Sequence, residues 1–142
     1  MLNPTPIEVV TADTFIIRQE PEVIPFISHL RNKANQLGMN SLNQTKLITA
    51  ASELARNMIN YAGGGEAQIE HIRQTAKEGF RLTFVDTGPG IVDLEKAMED
   101  GYTTGTGMGL GLPGAKRLVN EFSLTSVVGE GTTVTIIKWM NG

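Results

Sequence analysis

The sequence predicts an α+β two-layer sandwich, in which a mixed, mostly antiparallel sheet is covered on one face by helices. Short runs rich in β-branched residues alternate in polarity as half-buried strands do. Two long segments carry apolar residues at helical spacing. The predicted order is strand, helix, helix, strand, strand, loop, helix, strand, strand, which favours helices layered on one face of a sheet.

The composition is that of a folded domain with a sizeable core. The chain has 142 residues, of which 40% are hydrophobic and 19% charged, so we expect a single domain spanning residues 1–142. A net charge of −3 argues against a nucleic-acid footprint. The absence of cysteine excludes disulfides, thiolate metal sites and cysteine nucleophiles.

Neither a secretory signal nor a membrane span is predicted. The first residues, "MLNPTPIEVV", lack a basic leader followed by an apolar run. No stretch has the length of apolar residues that a bilayer requires. The sequence therefore predicts a cytoplasmic protein that does not contact the membrane.

The first half of the chain predicts a strand and two helices. Strand character lies around residues 14–18, with residues 7–10 as a possible addition. The segment "EPEVIPFISHLRNKANQLG" reads as a helix, since Pro21 and Pro25 fit only its first turns and Gly38 is a good stop. A second helix is predicted over 42–62, ended by three glycines. Its apolar stripe comprises Leu47, Ala51, Leu54, Ala55, Met58 and Ala62.

The second half predicts two strand pairs separated by a loop and a helix. The runs "AQIEHIRQ" and "GFRLTFVD" are joined by the turn "TAKEG". A short helix is expected in "DLEKAMED", and "GYTTGTGMGLG" is a glycine-rich loop. The segment "LPGAKRLVNEF" is predicted to be helical, with Pro113 near its start. The chain closes with "FSLTSVVGEGTTVTIIKW" as a hairpin that turns at "GEG".

Glu53 and Asn57 form the first candidate constellation. They lie four residues apart on the second helix, so their directions differ by only about 40°. An amide oxygen suits Mg²⁺, which takes oxygen ligands and keeps several waters. A neighbouring carboxylate can accept a proton or orient a water. The alternative is a polar pair at the boundary of a surface helix.

The second constellation is "VDTGPGI", which follows an apolar strand. Asp86 would lie at the strand end, where open sheets bind ligands. An acceptor-only carboxylate can read the exocyclic amine of adenine, whereas the carbonyl of guanine would be repelled. Gly88 and Gly90 would let backbone approach a flat ring closely. A strand-to-loop turn in which Asp and Gly serve only the backbone is the alternative.

The third constellation is the glycine-rich stretch "GTGMGLGLPG". Gly109, Gly111 and Gly114 match the dinucleotide pattern G-x-G-x-x-G, but no strand precedes them and no acidic residue follows at the expected distance. No Gly-Lys-Ser or Gly-Lys-Thr of a P-loop occurs. What remains is a loop that leads into a helix N-terminus, where free N–H groups favour phosphates. A flexible surface loop is the alternative.

The order of these pieces resembles a known superfamily. E-x-x-x-N on a helix, D-x-G-x-G after a strand, G-x-G-x-G before a helix and the late "GEGT" resemble the nucleotide-binding boxes of the GHKL ATPases, the superfamily of gyrase, Hsp90, histidine kinases and MutL. The resemblance covers residues 53–132. The motifs "ELARN", "MEDGYTTG", "GLGLPGAKRLVNEF" and "IIKW" are most similar to the small RsbT-type switch kinases, within a group that also includes the RsbW and SpoIIAB anti-sigma factors.

The resemblance implies the Bergerat ATP-binding fold and an ATP-dependent serine/threonine kinase that uses ATP and Mg²⁺. Glu53 would be the general base and Asn57 the Mg²⁺ ligand. Asp86 would read the adenine amine, assisted through water by Thr132, and the glycines after Asp86 would give the base close access. The residues implied to bind the nucleotide are Asn57, Asp86, Gly88, Gly90, Gly105, Gly107, Gly109, Leu110, Gly111 and Thr132.

The same resemblance implies protein partners. The substrate would be an antagonist protein with a STAS-type domain in a stress or sigma-factor partner-switching pathway. A stressosome scaffold and a PP2C-type phosphatase would be further partners. The alternative is an anti-sigma factor that sequesters a sigma subunit. A nucleotide sensor without transfer activity is a third reading, against which Glu53 argues.

Overall fold

The computed structural model describes residues 5–99 and 111–142. The strands and helices follow one another in the predicted order. The short helix expected in "DLEKAMED" lies between the third strand and the last helix. The elements are β1 (Glu8–Ile17), α1 (Val23–Leu37), α2 (Ser41–Ala62), β2 (Gly65–Gln74), β3 (Lys77–Asp86), α3 (Leu94–Ala97), α4 (Gly111–Arg117), β4 (Glu121–Val127) and β5 (Gly131–Trp139).

The strands form one five-stranded sheet in the order β1-β2-β3-β5-β4. All four pairings are antiparallel, so the predicted α+β sandwich is confirmed with a sheet that is antiparallel throughout the described residues. β5 lies between β3 and β4. This order places Asp86, the last residue of β3, directly opposite Thr132, the second residue of β5.

The long helix α2 packs on the sheet through the stripe that the sequence predicts. Leu47, Ala51, Leu54 and Ala55 are buried. The helix begins at an Asn40 cap, whose side chain accepts a hydrogen bond of 2.8 Å from the Asn43 amide. It ends at Ala62, and the following residue, Gly63, is in the left-handed region. The two caps thus set the length of α2, and its buried stripe sets which residues face the sheet.

Three aromatic rings join β1, α1 and β3 into one core. Phe26 of α1 is fully buried. Its ring centroid lies 5.7 Å from that of Phe15 and 5.8 Å from that of Phe84, both in edge-on arrangements. Phe84 also lines the candidate cleft described below. The packing of α1 therefore supports the strand that carries Asp86.

The structure differs from the predicted boundaries in several places. The helix predicted from Glu20 begins with a 3-10 turn over Glu20–Glu22, and α1 itself starts at Val23. The first strand is continuous from Glu8 to Ile17, with an irregularity between Val9 and Thr11. The turn between β2 and β3 is only residues 75–76, and Lys77 already belongs to the strand.

The predicted helix over "LPGAKRLVNEF" ends early, at Arg117. The residues that follow Arg117 form hydrogen bonds with β5 instead of continuing the helix. The Asn120 amide donates to the Ile137 carbonyl, and its side-chain oxygen accepts from the Trp139 amide, both at 2.9 Å. Phe122 then pairs with Ile136 as a strand residue. Hydrogen bonds from a neighbouring strand thus override the local helical pattern.

Among the described residues, no helix has both the length and the apolar character needed to cross a bilayer.

We expect Phe26→Ala to lower the free energy of unfolding by about 3–5 kcal/mol, because it empties a fully buried site between two other rings. Urea denaturation followed by circular dichroism measures the change. Ile24→Ala is the control on the same helix; Ile24 is 67% exposed, and its truncation should change stability by less than about 0.5 kcal/mol. Equal losses in the two variants would contradict this description of the core.

Candidate functional site

A cleft of about 490 Å³, including its open mouth, lies between α2, the end of β3, the start of β5 and the start of α4. Its walls are mainly apolar. They are formed by Leu54, Met58, Phe84, Ile91, Leu112 and Val134. Four polar or glycine positions named from the sequence, Asn57, Asp86, Gly90 and Thr132, line the same cleft. A mainly apolar cavity with a few polar groups is typical of a small-molecule site.

Asp86 forms the polar floor of the cleft. Its Oδ1 accepts hydrogen bonds from the Gly88 amide at 3.0 Å and from the Thr132 amide at 3.2 Å. These two bonds fix the plane of the carboxyl group. The hydrogen bonds found for Asp86 within the described residues all use Oδ1, so Oδ2 is the oxygen available to a ligand. Asp86 is also the one charged residue among the described residues that line the cleft.

The segment after β3 is tied to the β4–β5 hairpin. The Ile91 amide donates to the Ser126 hydroxyl at 2.8 Å. The Gly129 amide donates to the Pro89 carbonyl at 2.8 Å. Ile91 and Pro89 both line the cleft, so the hairpin holds one of its walls in place.

Two glycines permit close contacts around Asp86. A Cβ atom at Gly88 would lie 2.5 Å from Cβ of Ala62, so a side chain there would push α2 away from the cleft. Gly131, with φ of +139°, lies against the Asp86 carbonyl, where a Cβ would collide. Gly90, with φ of +79°, lines the cleft itself. The glycine spacing after Asp86 thus serves packing as well as any close approach of a ligand.

Glu53 and Asn57 lie on α2 as the sequence predicts, but in different settings. Asn57 is half-buried and lines the cleft. Glu53 is also half-buried and lies one turn earlier, about 6 Å along the helix axis. Glu53 is outside the residues that line the cleft. The structure therefore brings Asn57, Asp86 and Thr132 together, and Glu53 lies one turn before Asn57 on α2, outside the cleft lining.

The predicted phosphate loop falls mostly outside the described residues. Gly105, Gly107, Gly109 and Leu110 lie in that part of the chain, and their predicted roles stay predictions. Gly111 is described: it is the first residue of α4 and has φ of +66°. Its neighbour Leu112 lines the cleft, so the chain enters α4 beside the site.

The cleft has the chemistry that adenine requires. The apolar walls suit a flat heterocycle, and the Asp86 carboxylate would match an exocyclic amine. No cluster of three or more histidine and acidic side chains able to hold a metal occurs in the described residues. A single amide such as Asn57 fits Mg²⁺ nevertheless, since that ion is usually held by one or two protein ligands together with substrate phosphates.

Ser126 and the hydrophobic wall residues are not among the site residues predicted from the sequence. A signal for Ser126 was available, because the hairpin turn at "GEG" fixes the register of β4 and β5 and so sets Ser126 opposite Thr132. Ile91 has no such signal, because its position depends on how the segment after β3 folds back onto the hairpin.

Comparisons with known proteins agree with this geometry. The family model of histidine kinase-, DNA gyrase B- and HSP90-like ATPases matches residues 42–141. The serine/threonine-protein kinase RsbT of Bacillus subtilis is 51% identical over 110 residues, which cover 78% of this chain and 83% of the relative. The anti-sigma F factor of Caldanaerobacter subterraneus subsp. tengcongensis is 31% identical over 96 residues, covering 65% of this chain and 67% of the relative.

A solved structure shows the same fold. The crystal structure of the RsbU and RsbW domains of a Mycobacterium tuberculosis protein superposes with a TM-score of 0.61 at 16% identity. The match covers 91% of this chain and 32% of the solved chain, so this chain spans about a third of that protein.

We expect Asp86→Asn to fold normally but to bind adenine nucleotide about 10–100-fold more weakly. The Asn oxygen would keep the two amide hydrogen bonds that Oδ1 accepts, and this arrangement would aim the Asn NH₂ donor at the adenine amine. Isothermal titration calorimetry with ATP and Mg²⁺ measures the change. Glu66→Gln, at an exposed position of β2, controls for the lost charge; an unchanged affinity in Asp86→Asn would contradict the assigned role.

Proposed function

The chain belongs to the family of histidine kinase-, DNA gyrase B- and HSP90-like ATPases, and we propose that within this family it acts as an ATP-dependent serine/threonine protein kinase of the RsbT type. The observation that carries the proposal is the cleft in which Asp86 and Thr132 form the floor and Asn57 projects from α2. The RsbT relative, 51% identical over most of both chains, supports the choice of a protein kinase within this family. We also propose that residues 1–142 form one such domain.

The described residues bind and orient the nucleotide. Oδ2 of Asp86 accepts from the adenine amine, and Thr132 assists through water. The apolar walls enclose the ring and exclude water from it. The phosphates would lie towards Asn57 and the start of α4, whose first residue is Gly111. Asn57 would hold Mg²⁺ through its side-chain oxygen, and the ion, when bound, would supply positive charge that neutralises the phosphates.

Glu53 acts on the substrate protein. Its carboxylate takes the proton from a serine or threonine hydroxyl of the partner as that oxygen forms a bond to the terminal phosphorus. The bond between that phosphorus and the bridging oxygen breaks, and ADP leaves. The position of Glu53 one turn beyond Asn57 supports this role, since a base must reach the terminal phosphate rather than the adenine.

We propose that the substrate is an antagonist protein with a STAS-type domain and that the kinase works in a partner-switching pathway. A stressosome scaffold and a PP2C-type phosphatase are further proposed partners. The similarity to an anti-sigma F factor favours a second candidate, a protein that sequesters a sigma subunit. Affinity capture separates them: antagonist proteins or a phosphatase support the kinase, and sigma factor with RNA polymerase supports the anti-sigma factor.

We expect Glu53→Ala to bind ATP with unchanged affinity and to transfer phosphate about 10²–10⁴-fold more slowly. Transfer of radiolabel from ATP to candidate antagonist proteins measures the rate. Glu53→Gln keeps the size of the side chain but cannot accept the proton, so it should be equally slow. Glu121→Gln, at an exposed position of β4, is the matched control. Full transfer by Glu53→Ala would show that the base is another group.

We expect Asn57→Ala to weaken binding of Mg·ATP, by about tenfold, while leaving binding of the nucleoside adenosine nearly unchanged. The reason is that Asn57 acts at the phosphates and Asp86 at the base. Asn60→Ala, at an exposed position of the same helix, controls for any effect on α2. Equal loss of adenosine and Mg·ATP affinity would contradict the metal-binding role.

A further inference from the structure

The hydroxyl of Ser126 joins three parts of the candidate site. Its Oγ accepts from the Ile91 amide at 2.8 Å, lies 3.1 Å from the Gly131 carbonyl oxygen and lies 2.9 Å from Oγ1 of Thr132. Ser126 is half-buried on β4 and pairs directly with Thr132 across the hairpin. It does not line the cleft, so any influence on a ligand passes through Thr132 and Ile91.

Counting protons fixes the direction of these hydrogen bonds. A serine hydroxyl has one proton to donate and two lone pairs. The Ile91 amide uses one lone pair. The Gly131 carbonyl can only accept, so it takes the Ser126 proton. Thr132 must therefore donate its own proton to the second lone pair of Ser126.

This arrangement determines what Thr132 presents to the cleft. Because the Thr132 proton is held by Ser126, only lone pairs of Oγ1 remain for a ligand or its bridging water. Opposite Thr132 on β3, Oδ2 of Asp86 is also an acceptor. The floor of the cleft thus offers acceptors alone, which match the two N–H groups of an exocyclic amine and oppose a carbonyl at that position.

We propose that Ser126 is a positioning residue that determines nucleotide specificity. It orients the Thr132 hydroxyl as an acceptor and holds Ile91 in the cleft wall, and it thereby favours a purine with an amine at C6 over one with a carbonyl. The inference rests on the proposed function, since it assumes that the cleft holds a purine nucleotide. The reverse arrangement, in which Ser126 donates to Thr132, leaves the Thr132 proton free for the cleft and predicts no such dependence on Ser126.

Removing the Ser126 hydroxyl tests this directly. We expect the wild type to bind ATP at least about tenfold more tightly than inosine triphosphate, which has a carbonyl at C6. In Ser126→Ala the Thr132 proton is released and can be donated to that carbonyl. The dissociation constant for ATP should rise about tenfold, and the constant for inosine triphosphate should rise much less. The ratio of the inosine triphosphate constant to the ATP constant should therefore fall by about fivefold or more.

A purely structural role gives a different result. Loosening the wall at Ile91 would raise both dissociation constants by the same factor and leave their ratio unchanged, which would overturn the proposal. Equal binding of the two nucleotides by the wild type would overturn it as well. Ser126→Thr keeps a hydroxyl and should restore the wild-type ratio. Ser123→Ala, at an exposed position of the same strand, should change neither constant.

A double-mutant cycle shows whether Ser126 acts through Thr132. In a Thr132→Val background there is no proton to orient, so Ser126→Ala should change both dissociation constants equally. A ratio that still narrows in this background would overturn the proposed path. If Ser126→Ala fails to fold, Ser126→Cys replaces it, because a thiol has similar size but only weak donor and acceptor capacity. In Ser126→Cys the ratio of the inosine triphosphate constant to the ATP constant should fall, as it does in Ser126→Ala.

The measurements separate this proposal from the function on which it rests. Calorimetric titrations of the wild type with ATP and Mg²⁺ report whether the cleft binds nucleotide at all. No binding removes both the proposed function and the inference. Binding of ATP by the wild type with an unchanged ratio in Ser126→Ala removes the inference alone.

Discussion

The candidate site depends on one carboxylate oxygen, Oδ1 of Asp86, at the end of a central strand. Two backbone amides from separate parts of the chain, those of Gly88 and Thr132, converge on it. The first belongs to the segment that leaves β3, and the second to the strand that pairs with β3. A single acceptor therefore sets the path of the chain after β3, and the other oxygen of Asp86, a residue that lines the cleft, stays available to a ligand. Hydrogen bonds to a charged acceptor are stronger than those between neutral groups.

The hairpin β4–β5 completes this arrangement from the other side. Ser126 and Gly129 each bind the segment after β3, through Ile91 and Pro89 respectively. The wall of the cleft is thus held between the end of β3 and the β4–β5 hairpin, which are distant in the chain and are brought together by the strand order. The hydrogen bonds that hold this wall also fasten the segment after β3 to the hairpin. A substitution that breaks one of them should therefore change both the shape of the cleft and the local stability.

Much of this fold could be predicted from the sequence. The stripe of α2, its glycine stop and the "GEG" hairpin each have a local physical signal, and each lies within a residue or two of its predicted place. The early end of α4 could not be predicted, because the residues after Arg117 are helical in pattern and only their hydrogen bonds to β5 make them a strand.

Part of the candidate site could also be predicted, because it too depends on local signals in the sequence. Asn57, Asp86 and Thr132 come together because a helix face and a strand register place them, and both can be worked out from spacing. The packing of Ala62 against Gly88 has no signal in spacing. From the sequence alone, Gly88 suggests either close approach to a ligand or a backbone turn, whereas the structure shows that α2 occupies the space of its missing side chain.

The geometry of α2 explains how one helix serves both core and site. Successive residues turn by about 100°, so Asn57 and Tyr61 fall at one edge of the buried arc that contains Leu54 and Met58. The buried residues hold the helix on the sheet, and the edge residues line the cleft. Glu53 lies a further 40° or so outward from Asn57, which takes it out of the cleft lining. Because Glu53 is only half-buried at that angle, its carboxylate adds no fully buried charge to the core.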